Sequence, residues 1–449
     1  MSVRTVGTAT DFEDLAPERN REWRPAFRIL FRFVIAYCTL FCVLYPQPIF
    51  AFFGIVQKWL PDDLLQKYAD LPGPLVRWTG RTVFDHPGVH LNLDSGSGDQ
   101  LYLWIEVFCI LIAAVLVTAV WSVLDRRRTE YRTAAGWFLL FFRVMLAGQM
   151  LNYGFAKAIP LQMPVPGLAT LVQPYGDFSH MAVLWNQVGV SPVYESLLGL
   201  AEITGGLLLL LPRTQVAGAL LSLVSMAQVW VLNMTFDVPV KLLAFHLLLL
   251  SMVLLAPDAR RLATALLGGA AGPSTAPTPF RTRRSRRISD IALVVLALWF
   301  VLGQAVGAWD GWHKYGPGRP QSELYGIWNV TEFTRDGQSV PPLLTDETRW
   351  RRMVFDDPGV AIYQRMDDGM VPVLTEFDSG AHRLTLRAPS GSELLASLTY
   401  ERPAPDRLTL TGELEGHPVT LALTLVDSDR MPIRQGGLHL VQDYANGVK

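Results

Sequence analysis

Apolar residues come in long unbroken blocks over the first two thirds of this chain and in short alternating runs over the last third. The blocks cover residues 27–53, 101–124, 134–157, 191–211, 215–236, 238–256 and 288–309. Each is close to the roughly 20 residues a helix needs to cross about 30 Å of hydrocarbon. The pattern predicts seven spans, the first kinked or cut short by Pro46 and Pro48. From about residue 324 the period drops to two, in "IWNVTEF", "WRRMVF", "VAIYQR", "VPVLTEF", "RLTLRA", "ELLASLTY", "RLTLTGEL", "VTLALTLV" and "LHLVQ", separated by Asp-Gly and Asp-Pro-Gly turns. Nine short strands at this spacing predict an antiparallel up-and-down barrel. In a barrel this small, inward positions such as Trp328, Val330, Phe355 and Leu410 are expected to fill the interior.

These elements divide the chain into a polar head at 1–25, two spans with an intervening loop at 26–133, and four closely spaced spans at 134–262. A basic linker rich in Gly, Pro, Ser and Thr follows at 263–287, then the last span at 288–309 and the barrel at 324–449. The loop "WTGRTVFDHPGVHLNLDSGSGDQ" holds Asp85, His86, His90, Asp94 and Asp99 at irregular spacing and reads first as a solvated loop, not a metal site. The segment after the third span, "IPLQMPVPGLATLVQPYGDFSHM", is too apolar for a turn and too broken by Pro and Gly for a span. It is expected to fold back as a roof over the four-span block.

Composition supports the membrane reading, since 50% of residues are hydrophobic and only 18% charged. The net charge of -1 conceals clusters of arginine in "RNREWRPAFR", "DRRRTEYR" and "RTRRSRR", with few positive charges in the alternate connections. By the positive-inside bias, the N-terminus is cytoplasmic and the C-terminal domain is exterior. No cleavable signal peptide is expected, because the first apolar block is too long for one. Cys38, Cys42 and Cys109 all lie in spans, which excludes a disulfide framework and a Cys-x-x-Cys redox pair. The arginine clusters fall where topology needs them, so no nucleic-acid partner is expected.

Ionisable groups inside a span cost about 2.5–3.5 kcal/mol on insertion scales and normally pair or line a cavity. Arg143, about a third of the way from the cytoplasmic end of its span, is expected to face either Glu202, about midway along its own, or cytoplasmic lipid phosphates by snorkelling; a polar centre formed by the pair is one reading and a structural ion pair the other. Gln149, Tyr153 and Lys157 repeat every four residues and make one polar stripe near the exit of the third span. Asp237 and Lys241 flank a tight hairpin and are expected to pair, with His246 deeper on the same helix as a proton relay or an interhelical hydrogen-bond donor. Glu202, Arg143 and His246 are therefore the catalytic candidates, and Gln149, Tyr153, Lys157, Asp237 and Lys241 the cofactor-binding ones. Gly199, Gly205 and Gly206 are expected to let helices approach closely.

Arg143, Gly154, Lys157, Glu202, Gly205 and Gly206, with "NYGFAKAIPLQMP" and "AEITGGLLLLLPRT" around them, resemble the pattern of the DoxX family of bacterial membrane proteins. The resemblance covers residues 134–262, about a third of the chain. It implies a four-helix membrane bundle in the bacterial inner membrane, a quinone as the cofactor class and a role in a membrane oxidoreductase complex. It also implies a periplasmic or membrane redox partner alongside membrane lipid. The two spans before the block, the span after it and the barrel depart from the family's minimal form. The opening Gly326-Ile327-Trp328 is similar to the Gly-x-Trp start of lipocalin-like barrels. The function expected is an exterior-facing polar cavity that binds a small amphipathic molecule such as quinone or lipid. The alternative is a non-catalytic anchor that presents a lipocalin-like domain to a ligand or protein.

Overall fold

The computed structural model describes residues 22–280, 282–391, 393–437 and 440–441. Most of the polar head at 1–25 and most of the strand expected at 438–442 therefore lie outside the described residues. Among the described residues, seven helices are long and apolar enough to cross a membrane, and they coincide with the seven apolar blocks. The protein is thus a polytopic α-helical membrane protein.

Helix α1 (Pro25–Leu44) stops where Pro46 and Pro48 remove backbone donors, and a short α2 (Pro46–Phe50) restarts at an angle. The Tyr45 hydroxyl secures the break by donating to Gly98 O at 2.9 Å. Two further helices, α3 (Asp62–Ala69) and α4 (Gly73–Val83), follow on the surface. The first part of the segment read as a solvated loop is therefore helical. Val76, Thr79 and Gly80 recur at helical spacing and bury against α5 (Leu101–Leu124), a pattern that the turn formers after Val83 obscured.

The next four spans are α6 (Arg132–Ala158), α8 (Pro192–Leu210), α9 (Gln215–Thr235) and α10 (Lys241–Leu255), with α7 (His180–Gly189) between the first two. Each packs on the next, and α10 returns to α6. Glycine sets the closest approach. A Cβ on Gly199 would sit 2.2 Å from Ala158 N and 2.5 Å from Gly154 O, so no larger residue fits that crossing. Beyond α11 (Ala259–Leu266), the linker rich in Gly and Pro is pinned at its far end: Pro279 packs on Gly136 and Phe280 meets Trp137 edge-on. Thr282 and Ser285 then form a capping box that starts α12 (Arg283–Lys314), longer than the span expected. Trp299 of α12 donates to Phe52 O at 3.0 Å, tying the last span to the region after α2.

The C-terminal domain is a closed antiparallel barrel of eight strands: β1 (Gly326–Arg335), β3 (Trp350–Asp357), β4 (Val360–Arg365), β5 (Met370–Asp378), β6 (Arg383–Arg387), β7 (Leu394–Ala404), β8 (Arg407–Leu414) and β9 (His417–Val426). Pairing of β1 with β9 closes it, and the two-residue β2 (Gln338–Ser339) only extends the far end of β1. Asp336 and Gly337, both at positive φ, make the tight β1–β2 turn. Trp328, Val330, Phe355 and Leu410 are buried among one cluster with Phe333, Trp350 and Met353, so side chains fill the interior.

The segment after α6 covers the bundle only at its start, where Met163 is buried with Leu184, Val188 and Val238 beside the α9–α10 hairpin, and it then runs on to the barrel. Leu168 is wholly buried against Ile327 and Val354 on the outer wall of the barrel. Asp356 accepts from Leu168 N at 2.9 Å and from Arg319 Nη2 at 2.7 Å. The segment joins bundle to barrel because its apolar residues find a sheet surface there that the sequence could not bring into view.

Candidate functional site

The close Gly154–Gly199 crossing brings the end of α6 against the middle of α8 and decides what Lys157 meets. Its ammonium lies 2.9 and 2.8 Å from the two carboxylate oxygens of Glu202, and the two side chains are only 7% and 3% exposed. A charge pair this dry persists only when each member satisfies the other. The Tyr153 ring lies one turn earlier, 5.5 Å from the Lys157 ammonium, close enough for a cation–π contact. Glu195, two turns before Glu202 on the same helix, accepts from Met163 N at 2.9 Å through Oε1. Its Oε2 is buried without a partner.

Tyr153 and Lys157 line a cavity of about 180 Å³ between α6, α7, α9 and α10. Its walls are mostly apolar, including Met163, Trp185, Met226 and Leu243, with Gln162 and Asn233 as further polar groups. Asn233 Nδ2 donates to Val240 O at 3.1 Å and so fixes the hairpin between α9 and α10. Two more cavities, of about 230 and 450 Å³, also reach Tyr153, through Gln47 and Gln100 on one side and Asn152 and Gln304 on the other. Tyr153 is the point at which the three meet.

The remaining sequence candidates separate. Arg143 does not meet Glu202; its Nη1 bonds Gln215 Oε1, and it lines a different cavity with Asp258, Arg286 and Asp290. The polar centre expected of an Arg143–Glu202 pair is therefore replaced by Lys157 with Glu202, because the glycine crossing sets which turns of α6 and α8 face each other. His246 Nδ1 contacts Leu242 O at 2.7 Å, so it carries the proton and leaves Nε2 to accept from the Tyr37 hydroxyl at 2.7 Å. Its ring also stacks on Phe41 at 3.8 Å, which makes it a link between α10 and α1 outside the Lys157 cavity. Gln149 donates to Gln47 O at 3.0 Å, supplying a donor to a carbonyl at the α1–α2 break, also outside that cavity. Lys241 pairs with Asp237 at 2.8 Å as the hairpin spacing suggested, and this contact holds the exposed Asp237 carboxyl below its usual range.

Several groups escaped the sequence reading. Asp99, which the sequence placed in a solvated loop, instead accepts from Lys241 N at 2.7 Å and Leu242 N at 2.9 Å and caps α10 from 142 residues earlier in the chain. Arg32 is buried on α1, where Nη1 bonds Ser122 and both Nε and Nη2 reach the Tyr131 hydroxyl. Glu106 is fully buried on α5 with neither carboxyl oxygen partnered. A charge in an apolar block was the available signal for Arg32, Glu106 and Glu195, and the sequence reading weighed that signal only at Arg143, Lys157, Glu202 and the 237–246 run. His90 turns onto Gly88 O, and among the described residues no group of His, Cys, Asp and Glu is arranged to hold a metal ion.

A polytopic helical bundle joined to a closed eight-stranded barrel defines the class as a helical membrane protein with a C-terminal β-barrel domain. Within that class, the chain belongs to the family of the uncharacterized protein YwoB of Bacillus subtilis (strain 168). The two are 32% identical over 120 residues, a stretch that covers 27% of this chain and 76% of that protein. No family model matches the chain, and no solved structure matches it.

Proposed function

We propose that this is a DoxX-like protein of the bacterial cytoplasmic membrane whose Tyr153–Lys157 cavity binds the head group of a small amphipathic molecule such as a quinone. The observation that carries the reading is an ion pair buried in the bundle with an apolar cavity built directly against its cation. The cavity, about 180 Å³, is mostly apolar with a few convergent polar groups, the lining a small amphipathic head group needs. Lys157 and Tyr153 are suited to donate to a ring carbonyl, while Trp185 and Met226 supply apolar contact. Glu202 holds Lys157 in place and keeps its charge compensated when the cavity is empty.

The arginine-rich ends of α1, α5 and α6 gather at one end of the bundle around Tyr131, and the barrel meets the loop that leaves the other end. That separation supports a cytoplasmic N-terminus and a periplasmic or extracellular barrel. The cavity opens toward the barrel side, where a periplasmic or membrane redox partner would exchange electrons with a bound quinone. The filled barrel interior favours a lipocalin-like domain that recruits a protein over one that carries a ligand. If the helices serve only to anchor that domain, the cavity should hold nothing.

Equilibrium binding of a short-chain benzoquinone to the detergent-solubilised full chain tests the proposal. Wild type should bind it saturably, and Tyr153→Phe and Asn233→Leu should weaken binding several-fold each. Equal partitioning into wild type and both variants would leave the anchor reading.

A further inference from the structure

The Arg143 cavity is separate from the Lys157 site and lies toward the arginine-rich end of the bundle. It measures about 260 Å³. One wall is the α6 face carrying Gly136, Leu139 and Arg143; the outer wall is the linker from Ala276 to Phe280. That linker is held by backbone contact at Gly136, where Pro279 N comes within 2.6 Å of a Cβ position, and by the Trp137–Phe280 ring contact. The glycine is required there, since any side chain would push the wall away.

Arg143 is 9% exposed, and its guanidinium is only partly satisfied. Nη1 bonds Gln215, while Nε is buried without a partner. An orphaned N–H on a buried guanidinium costs free energy unless something accepts from it. Asp258 also lines the cavity but is already paired, 2.7 Å from Arg261. Setting that pair aside leaves Arg143 and Arg286 against Asp290, one positive charge in excess. A cavity with excess positive charge beside a buried, incompletely satisfied guanidinium matches charge-assisted recognition of an oxyanion.

We infer that the Arg143 cavity is a binding site for a phosphate group, closed on its outer side by the Ala276–Phe280 stretch of the linker. The Arg143 guanidinium donates to the phosphate, and Arg286 adds charge at the rim. The group is supplied either by a phospholipid head or by a free phosphate. A site of this kind makes the linker a ligand-dependent element, because an occupied cavity neutralises the excess charge that the linker covers.

The test uses the full chain in detergent and native mass spectrometry, titrating short-chain phosphatidic acid, inorganic phosphate and, as a phosphate-free control, short-chain diacylglycerol. Wild type should take up one phosphate-bearing probe at concentrations at least tenfold below diacylglycerol. Uptake of phosphatidic acid alone identifies a lipid head as the source; competition by inorganic phosphate identifies a free one. Arg143→Gln should lose binding tenfold or more. Leu139→Trp keeps the guanidinium but fills the space, so it should lose binding too, and it decides the matter if Arg143→Gln does not fold. Absence of preference over diacylglycerol, or binding by Leu139→Trp equal to wild type, would overturn the assignment.

Discussion

Removing one member of the Lys157–Glu202 pair should cost far more than removing both. Water cannot replace the lost partner, because the two side chains are 7% and 3% exposed and both carboxylate oxygens are used by the one ammonium. Breaking a buried pair costs roughly 3–5 kcal/mol, while replacing both members with apolar groups is often neutral. Lys157→Met strands Glu202 and should cost about 3 kcal/mol on that scale. Glu202→Leu should cost less, because Glu195 lies within electrostatic range of Lys157 and keeps an unpartnered Oε2. The double variant should lie within about 1 kcal/mol of wild type, where independent sites would add. The assay is reversible unfolding of the full chain in mixed micelles with increasing SDS, followed by far-ultraviolet circular dichroism. Additive losses, or a Lys157→Met cost below about 1 kcal/mol, would refute a buried, mutually dependent pair.

Other consequences are open to direct measurement. Gly199→Ala places a methyl 2.2 Å from Ala158 N and should lower the thermal midpoint, while Gly176→Ala, with nothing within 4 Å, should not. Glu106→Leu should raise the midpoint, since an unpartnered buried polar group costs about 1–3 kcal/mol and the leucine has no such demand. In the barrel domain, hydrogen bonds from Tyr400 and Ser379 hold the Glu323 carboxyl below its ordinary value of 4.5. Its contribution is present above that value and is lost as pH falls through the depressed one; acid unfolding of Glu323→Gln should show a shallower drop there. For topology, the three natural cysteines are buried, so single cysteines at Ser379 and Ser274 can be labelled selectively in intact cells. An impermeant maleimide should reach the first and not the second.

The spans and eight of the strands were legible because each rests on a periodicity that a single sequence contains. Residues 101–124 are apolar enough to span whatever surrounds them, and alternation in "VTLALTLV" already separates the inner face of β9 from the outer. Pairing is different, because it depends on helix rotation. Lys157 and Arg143 lie on the same helix, and only the fit of Gly154 against Gly199 determines that the lysine meets Glu202. The stripe of Gln149, Tyr153 and Lys157 was sound as a face, yet Gln149 turns to the α1–α2 break while the other two turn to the cavity. His246 could be read as relay or as link, and Tyr37, more than 200 positions away, settles its contacts. The linker misled in the other direction, since its Pro and Gly content hides a wall built by Pro279 and Phe280.

The central claim is that the cavity beside Lys157 is occupied by an amphipathic molecule in the membrane. Native mass spectrometry of the full chain purified in mild detergent, with extraction and identification of whatever remains bound, addresses it most directly. Val229→Trp should fill the cavity without touching the ion pair. A defined molecule retained by wild type and absent from Val229→Trp is the predicted result; the same molecule retained by both would contradict the account.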